Sequence, residues 1–296
     1  MANELPHVSM QILLHGRWIV NPKLALAMGQ HQAGVFLQAA VLYRELLAVE
    51  PRNADALHLL GVLMHQIGQS QTAAQLIGCA IQINPEYAPY HNNMGNALRA
   101  IGDMQGAKHS FKRSISLDPR TPSTYVNLGS LEQTLECWEA AEANFQEALH
   151  WSPEDFEALF GLGNLAMAKG EVAVAIGWYE RAVSRQPRSA AALNALGNAQ
   201  IASGDQEGAK THYLAAAEYA PSNPDAHINL GNVYMAQRQF NSAIRSYEQA
   251  VHCAPSDHGA VTLLGIAHLK NEDAEQAMST FARAVQLNPG HARSHL

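Results

Sequence analysis

The chain has 296 residues and a net charge of −7, with 19 Lys and Arg against 26 Asp and Glu, and only 15% of its residues are charged where an average domain has about 25%. So few cations on an acidic chain make a poor surface for phosphate backbones, which excludes nucleic acid as the expected ligand. No stretch approaches the roughly 20 apolar residues that span a bilayer, and no charged segment precedes an apolar run at the start, so the expectation is a cytoplasmic protein without membrane insertion.

Residues 1–19 form an N-terminal segment in which Met10, Leu13, Leu14 and Trp18 lie at helical spacing, with Ser9 placed as an N-cap. This predicts a capping helix over whatever follows, with a swapped segment as the alternative. From residue 20 onward the pattern changes. A proline recurs every 34 residues at Pro51, Pro85, Pro119, Pro153, Pro187, Pro221, Pro255 and Pro289. A glycine precedes seven of these by 24 residues, at Gly61, Gly95, Gly129, Gly163, Gly197, Gly231 and Gly265. An alanine follows each glycine by twelve residues, from Ala73 to Ala277, and a bulky residue follows each alanine by four: Ile77, Phe111, Phe145, Tyr179, Tyr213, Tyr247 and Phe281.

Three residue types that hold one phase through seven copies define a repeat of two helices. Small residues permit close backbone approach, and the bulky slot fills the space they leave. In the second copy Leu57, Leu60 and Met64 form the stripe of the first helix, and Ala73, Ile77 and Ala80 that of the second. A further glycine at Gly34, Gly68, Gly102, Gly170 and Gly204 marks the turn between the helices, where a positive φ is needed. Glu136, Arg238 and Glu272 take that place in three copies. Each periodic proline lacks an N–H and restricts the residue before it, so it ends the second helix. Ala39 and Tyr43 extend the frame backwards to a first copy of weaker pattern.

The predicted organisation is therefore all-α, with eight repeats at 20–53, 54–87, 88–121, 122–155, 156–189, 190–223, 224–257 and 258–291, leaving residues 292–296 as a tail or the start of another helix. No span remains for a separate catalytic domain. A 34-residue helix-turn-helix period resembles the tetratricopeptide repeat (TPR) family over about nine tenths of the chain. The family's Leu-Gly pair is met by Leu60-Gly61, Leu128-Gly129, Leu162-Gly163, Leu196-Gly197, Leu230-Gly231 and Leu264-Gly265, with Met94-Gly95 the one variant; its following tyrosine survives only as Tyr234. The resemblance implies a right-handed superhelix, an α-solenoid, whose inner groove is lined by the first helix of each pair.

Phase places Asn93, Asn127 and Asn229 two residues before the glycine, and Asn96, Asn164, Asn198 and Asn232 one after it. Seven amides along one groove offer donors and acceptors that pair with the backbone of an extended peptide whatever its sequence. The strings Asn92-Asn93-Met94-Gly95-Asn96 and Asn229-Leu230-Gly231-Asn232 resemble the TPR superhelix of O-linked N-acetylglucosamine transferases, where an asparagine ladder holds substrate polypeptide. Phe160, Met167, Ile201, Met235, Leu263 and Ile266 are expected to face the same groove and to take hydrophobic side chains. Asparagine at these places also suits a merely solvated helix face. A carboxylate clamp is not expected, because His58, Asn92, Val126, Phe160, Asn194, Ile228 and Thr262 put no Lys or Arg at the corresponding inner positions.

Nothing points to catalysis or to a cofactor. The Gly161, Gly163, Ala166 string follows no strand, and its central glycine belongs to the repeat series. His31, His58 and His65 lie near the first repeats without ligand spacing to a carboxylate or cysteine, and so are expected to line the groove rather than hold metal. Cys79, Cys137 and Cys253 are expected as buried free thiols. The expected function is a non-catalytic scaffold that binds a protein or extended peptide. Two alternatives stand beside it: the substrate-recognition arm of a larger glycosyltransferase truncated after Leu296, and a self-assembling scaffold that forms homo-oligomers through array ends and charge blocks such as the acidic run from Glu132 to Glu157.

Overall fold

The computed structural model describes residues 12–14, 17–19 and 21–288. Two units divide the chain, at Met1–Pro153 and Glu154–Leu296. In the first, two short strands precede eight helices: α1 (Pro22–Gln32), α2 (Phe36–Val49), α3 (Ala54–Gln66), α4 (Ser70–Ile83), α5 (Ala88–Ala100), α6 (Met104–Leu117), α7 (Pro122–Thr134) and α8 (Trp138–Trp151). The second holds α9 (Phe156–Ala168), α10 (Val172–Arg185), α11 (Ala190–Ser203), α12 (Gln206–Tyr219), α13 (Pro224–Ala236), α14 (Phe240–Cys253), α15 (His258–Lys270) and α16 (Ala274–Leu287). Each odd-numbered helix packs on the even-numbered one that follows it, as antiparallel hairpins do. Among the described residues no helix is long and apolar enough to cross a membrane.

The residues flanking each helix explain its limits. Asn53, Asp155, Ser189, Asn223 and Asp257 accept a hydrogen bond from a first-turn N–H of α3, α9, α11, α13 and α15, which satisfies a donor the helix leaves unpaired. α2 ends at Val49, two residues before Pro51, and Glu50 between them is extended, with φ −121° and ψ 73°. Its successors end in the same way before Pro85, Pro119, Pro153, Pro187, Pro221 and Pro255, where the pre-proline residue is pushed out of the helical region. At the hairpin turns the five glycines have φ between 75° and 91°, and Glu136, Arg238 and Glu272 adopt the same left-handed conformation at 57°, 57° and 64°.

The repeat glycine is explained by what stands against it. A Cβ built on Gly197 would lie 2.5 Å from the Tyr213 ring, and one on Gly95 at 2.5 Å from Phe111. The absent side chain lets the ring of the second helix lie directly on the backbone of the first. Ala39, Ala73, Ala107, Ala141, Ala175, Ala209 and Ala243 are fully buried in the same layer.

The N-terminal expectation is corrected. Leu13, Leu14 and Trp18 belong to two antiparallel strands, β1 (Ile12–Leu14) and β2 (Arg17–Ile19), with Leu13 opposite Trp18, and not to a capping helix. Met10 and Ser9 lie outside the described residues, as do residues 292–296. The His15-Gly16 dipeptide between two short runs rich in apolar residues is a hairpin signal that competes with helical spacing over so few residues. The cysteines are also corrected. Cys79 and Cys137 are exposed and Cys253 is half-buried; all three are free thiols.

Candidate functional site

The odd-numbered helices carry all the residues singled out for binding: Asn93 and Asn96 on α5, Asn127 on α7, Phe160, Asn164 and Met167 on α9, Asn198 and Ile201 on α11, and Asn229, Asn232 and Met235 on α13. The two asparagine series behave differently, and each unit has its own arrangement.

In the second unit the asparagine after each glycine is tied to the tyrosine of its own hairpin. Tyr179, Tyr213 and Tyr247 each donate a hydroxyl hydrogen bond of 2.7 Å to Oδ1 of Asn164, Asn198 and Asn232, fifteen residues earlier in every case. Burial pushes the three phenols up to about 12, so each remains a donor. The carbonyl oxygens are therefore committed to the protein, while the amide N–H groups of these three asparagines make no hydrogen bond among the described residues. Asn229 Nδ2 reaches across from α13 to Asn198 Oδ1 at 3.3 Å, and its own Oδ1 stays available. Donors and an acceptor thus remain on this face.

Asn198 and Asn229 line a pocket of about 460 Å³ with Ala191, Asn194, Ala195, Asn223, Asp225 and Ile228. Asn194 is 9% exposed, and its Oδ1 is buried without a hydrogen-bond partner. A buried amide oxygen left unpaired costs about 1–3 kcal/mol, which a ligand N–H could offset. Asn194, Asn223 and Asp225 were not among the expected binding residues. The signal for Asn194 lies in the repeat itself: residues 35 apart meet on successive odd-numbered helices, as Asn92 and Asn127 do, and Asn194 stands 35 before Asn229.

The apolar residues fall in two groups. Phe160 and Met167 are half-buried against Tyr179, Leu196 and Ala199, and Phe160 stacks on Phe156 with ring centroids 5.8 Å apart. Met235 and Leu263 pack against the buried residues around Val261 and Leu264. Ile201 and Ile266 stay exposed at 41% and 37%. Much of the expected hydrophobic lining is therefore engaged in the core.

In the first unit the amides cross-link neighbouring repeats. Asn93 Nδ2 lies 2.8 Å from His58 Nε2, and Asn127 Nδ2 donates to Asn92 Oδ1 at 3.0 Å, each pair 35 residues apart. Asn96 has no such partner, because the residue fifteen positions on is Phe111, and its Oδ1 is buried and unpaired. The histidines expected to line the groove are held inside: His31 and His58 are 3% and 0% exposed. His31 bonds Gln66 at 2.7 Å and Tyr43 at 3.3 Å, and His65 bonds Ser70 at 2.9 Å. Desolvation lowers the His58 pKa to about 3. Among the described residues no group of three His, Cys, Asp or Glu is arranged to hold a metal ion.

Tetratricopeptide-repeat models match residues 42–75, 88–121, 126–192 and 228–292, and a TPR repeat model matches 199–237. Together they cover well over half of the chain, which belongs to the tetratricopeptide repeat family, a class whose arrays bind proteins and peptides. Among solved structures the chain is similar to that of the APC/C hetero-tetramer Cut9–Hcn1, with a TM-score of 0.63 and 17% identity over 86% of this chain and 50% of that one. It spans about half of that relative's length. It is also similar to a tetratricopeptide repeat protein from Parabacteroides merdae, at 0.63 and 16% identity over 83% and 97% of the two chains. YrrB, a TPR protein with an unusual peptide-binding site, matches at 0.54 and 19% identity over 62% and 95%. At these identities the likeness shows the fold alone. A search of the curated proteins gives no match.

Proposed function

We propose that the protein is a non-catalytic cytoplasmic adaptor that holds an extended polypeptide against the odd-numbered helices of its second unit, reading the peptide backbone through side-chain amides. The observation that carries this is Asn194: an almost fully buried amide with an unpaired oxygen, beside Asn198 and Asn229 in one pocket. Such a group suits a backbone N–H, and the free N–H groups of Asn164, Asn198 and Asn232 suit backbone carbonyls. Ile201 and Ile228 give such a strand apolar contact beside the amides. The peptide-binding site of YrrB is a precedent for the use of this fold, not for these residues.

Fluorescence anisotropy with a panel of unstructured peptides tests the proposal, using the whole chain and the double variant N194A/N229A. Neither residue bonds a core tyrosine, and the change removes the unpaired Asn194 oxygen, so the variant should melt no lower than the parent. Binding by many unrelated sequences that weakens tenfold or more in the variant is the expected result; unchanged affinity would overturn the assignment.

A further inference from the structure

A second pocket, of about 840 Å³, lies in the first unit at the N-terminal ends of α3 and α5. Its walls come from the α2–α3 connection (Glu50, Pro51, Arg52, Asn53), the start of α3 (Ala54, Asp55), the end of α4 (Ile83, Asn84), and Tyr87 and Tyr90 at the start of α5. Asp55 forms part of it and is 5% exposed. Its Oδ1 accepts a 2.6 Å hydrogen bond from Tyr90, while its Oδ2 is buried and has no partner.

A carboxylate removed from water normally needs a cation or several donors, and this one has a single phenol. None of its neighbours supplies the charge. His58, one turn further along α3, is fully buried and stays neutral, its pKa lowered to about 3 by desolvation. Arg52 is exposed at the wall and makes no ion pair with Asp55 among the described residues. Glu50 adds a second negative charge and is fixed in place, accepting from Asn21 at 3.0 Å and from Asn53 at 2.7 Å. The N-terminus of α3 favours the negative charge of Asp55 but gives its Oδ2 no partner.

The remaining walls suit a particular shape of cation. The Tyr87 and Tyr90 rings meet edge to face, with centroids 4.7 Å apart, and Pro51 and Ile83 add apolar surface. Aromatic faces beside a carboxylate attract ammonium and guanidinium groups, while apolar walls cover an aliphatic stem. We propose that this pocket is a separate binding site that takes a basic side chain, lysine or arginine, of a protein partner, with the charged head at Asp55 and the stem between Pro51, Ile83 and the tyrosines.

Isothermal titration calorimetry of the whole chain tests this with unstructured peptides identical but for one central position, occupied by Arg, Lys or norleucine. The Arg and Lys peptides should bind at least tenfold more tightly than the norleucine peptide. Asp55→Asn, which keeps the acceptor for Tyr90, should abolish that difference, and so should Tyr87→Leu, each at a melting temperature close to that of the parent. N194A/N229A should leave the difference intact, so this test and that of the second-unit groove fail independently. Equal affinity for the three peptides, or a preference that survives in both first-unit variants, would overturn the proposal. So would equally tight binding of N-acetyl-argininamide alone, which would mark the pocket as a small-molecule site.

Discussion

Tyr213 donates its hydroxyl hydrogen to Asn198 Oδ1 at 2.7 Å, and the same fifteen-residue pairing recurs at Tyr179–Asn164 and Tyr247–Asn232. The bond ties the second helix of a hairpin to the exposed face of the first. It also turns the amide so that its N–H groups are left for something else. The asparagine is thus a packing residue that also presents unbonded amide N–H groups, and substitutions at it change both.

Asn96 is the exception that makes this testable. It has the asparagine but faces Phe111, so its Oδ1 is buried and unpaired. Phe111→Tyr should supply the missing donor and stabilise the first unit by about 1 kcal/mol, the net worth of a typical hydrogen bond. Tyr213→Phe should destabilise the second unit by a similar amount. Urea unfolding of each variant, compared at constant m-value, checks both signs.

Close approach between glycine and ring gives a second contrast. Gly197→Ala places a methyl 2.5 Å from the Tyr213 ring and should cost about 1–3 kcal/mol through overpacking. Gly177, in the interior of α10, has nothing within 4 Å of an added Cβ. Gly177→Ala should therefore stabilise by about 0.5–1 kcal/mol through helix propensity alone. Thermal melts of the two variants should move in opposite directions.

The left-handed turn residues offer a third. Glu136 at φ 57° and Arg238 at φ 57° occupy positions that glycine holds in five other repeats. A left-handed conformation costs an L-residue roughly 1–2 kcal/mol, so Glu136→Gly and Arg238→Gly should each recover up to about 1 kcal/mol. A fall in melting temperature in both would show that their side chains contribute more than the strain removes.

The buried His58 predicts a dependence on pH. Its folded pKa, about 3, lies below the ordinary value of 6.5, so the unfolded chain binds a proton that the folded one does not. Stability is full above pH 6.5 and falls as the pH drops toward 3. At pH 5 the loss from this group is roughly 2 kcal/mol, from about 1.5 pH units at about 1.4 kcal/mol each. His31, lowered in the same direction by burial, adds to it. Urea midpoints measured between pH 7.5 and 5 should decline, and the decline should be shallower in His58→Gln.

Much of the fold was legible because every repeat solves the same packing problem with the same residues. Gly197 and Tyr213 are sixteen apart in the sequence and touch in the structure, as do Gly95 and Phe111, so the period announces the contact. The N-terminal strands were less legible, since Leu13, Leu14 and Trp18 fit helical spacing and strand pairing alike over so short a span. The asparagines were found by phase, but their partners were not. Which amide atoms are committed to a neighbour depends on groups fifteen or 35 residues away, as Tyr179 on Asn164 and Phe111 against Asn96 show.

What the sequence by itself determined is the period, the two helices in each repeat and the small residues where they touch, because these follow from local propensity and near-neighbour packing. Only the tertiary structure decided which polar atoms are left over. It gave Asn93 to His58 and Asn127 to Asn92, and it buried Asn194 Oδ1 and Asp55 Oδ2 without partners. The reason is physical: hydrogen-bond satisfaction is set by distances between helices that are far apart in the chain. An unpaired buried atom becomes visible only when all of its neighbours are in place.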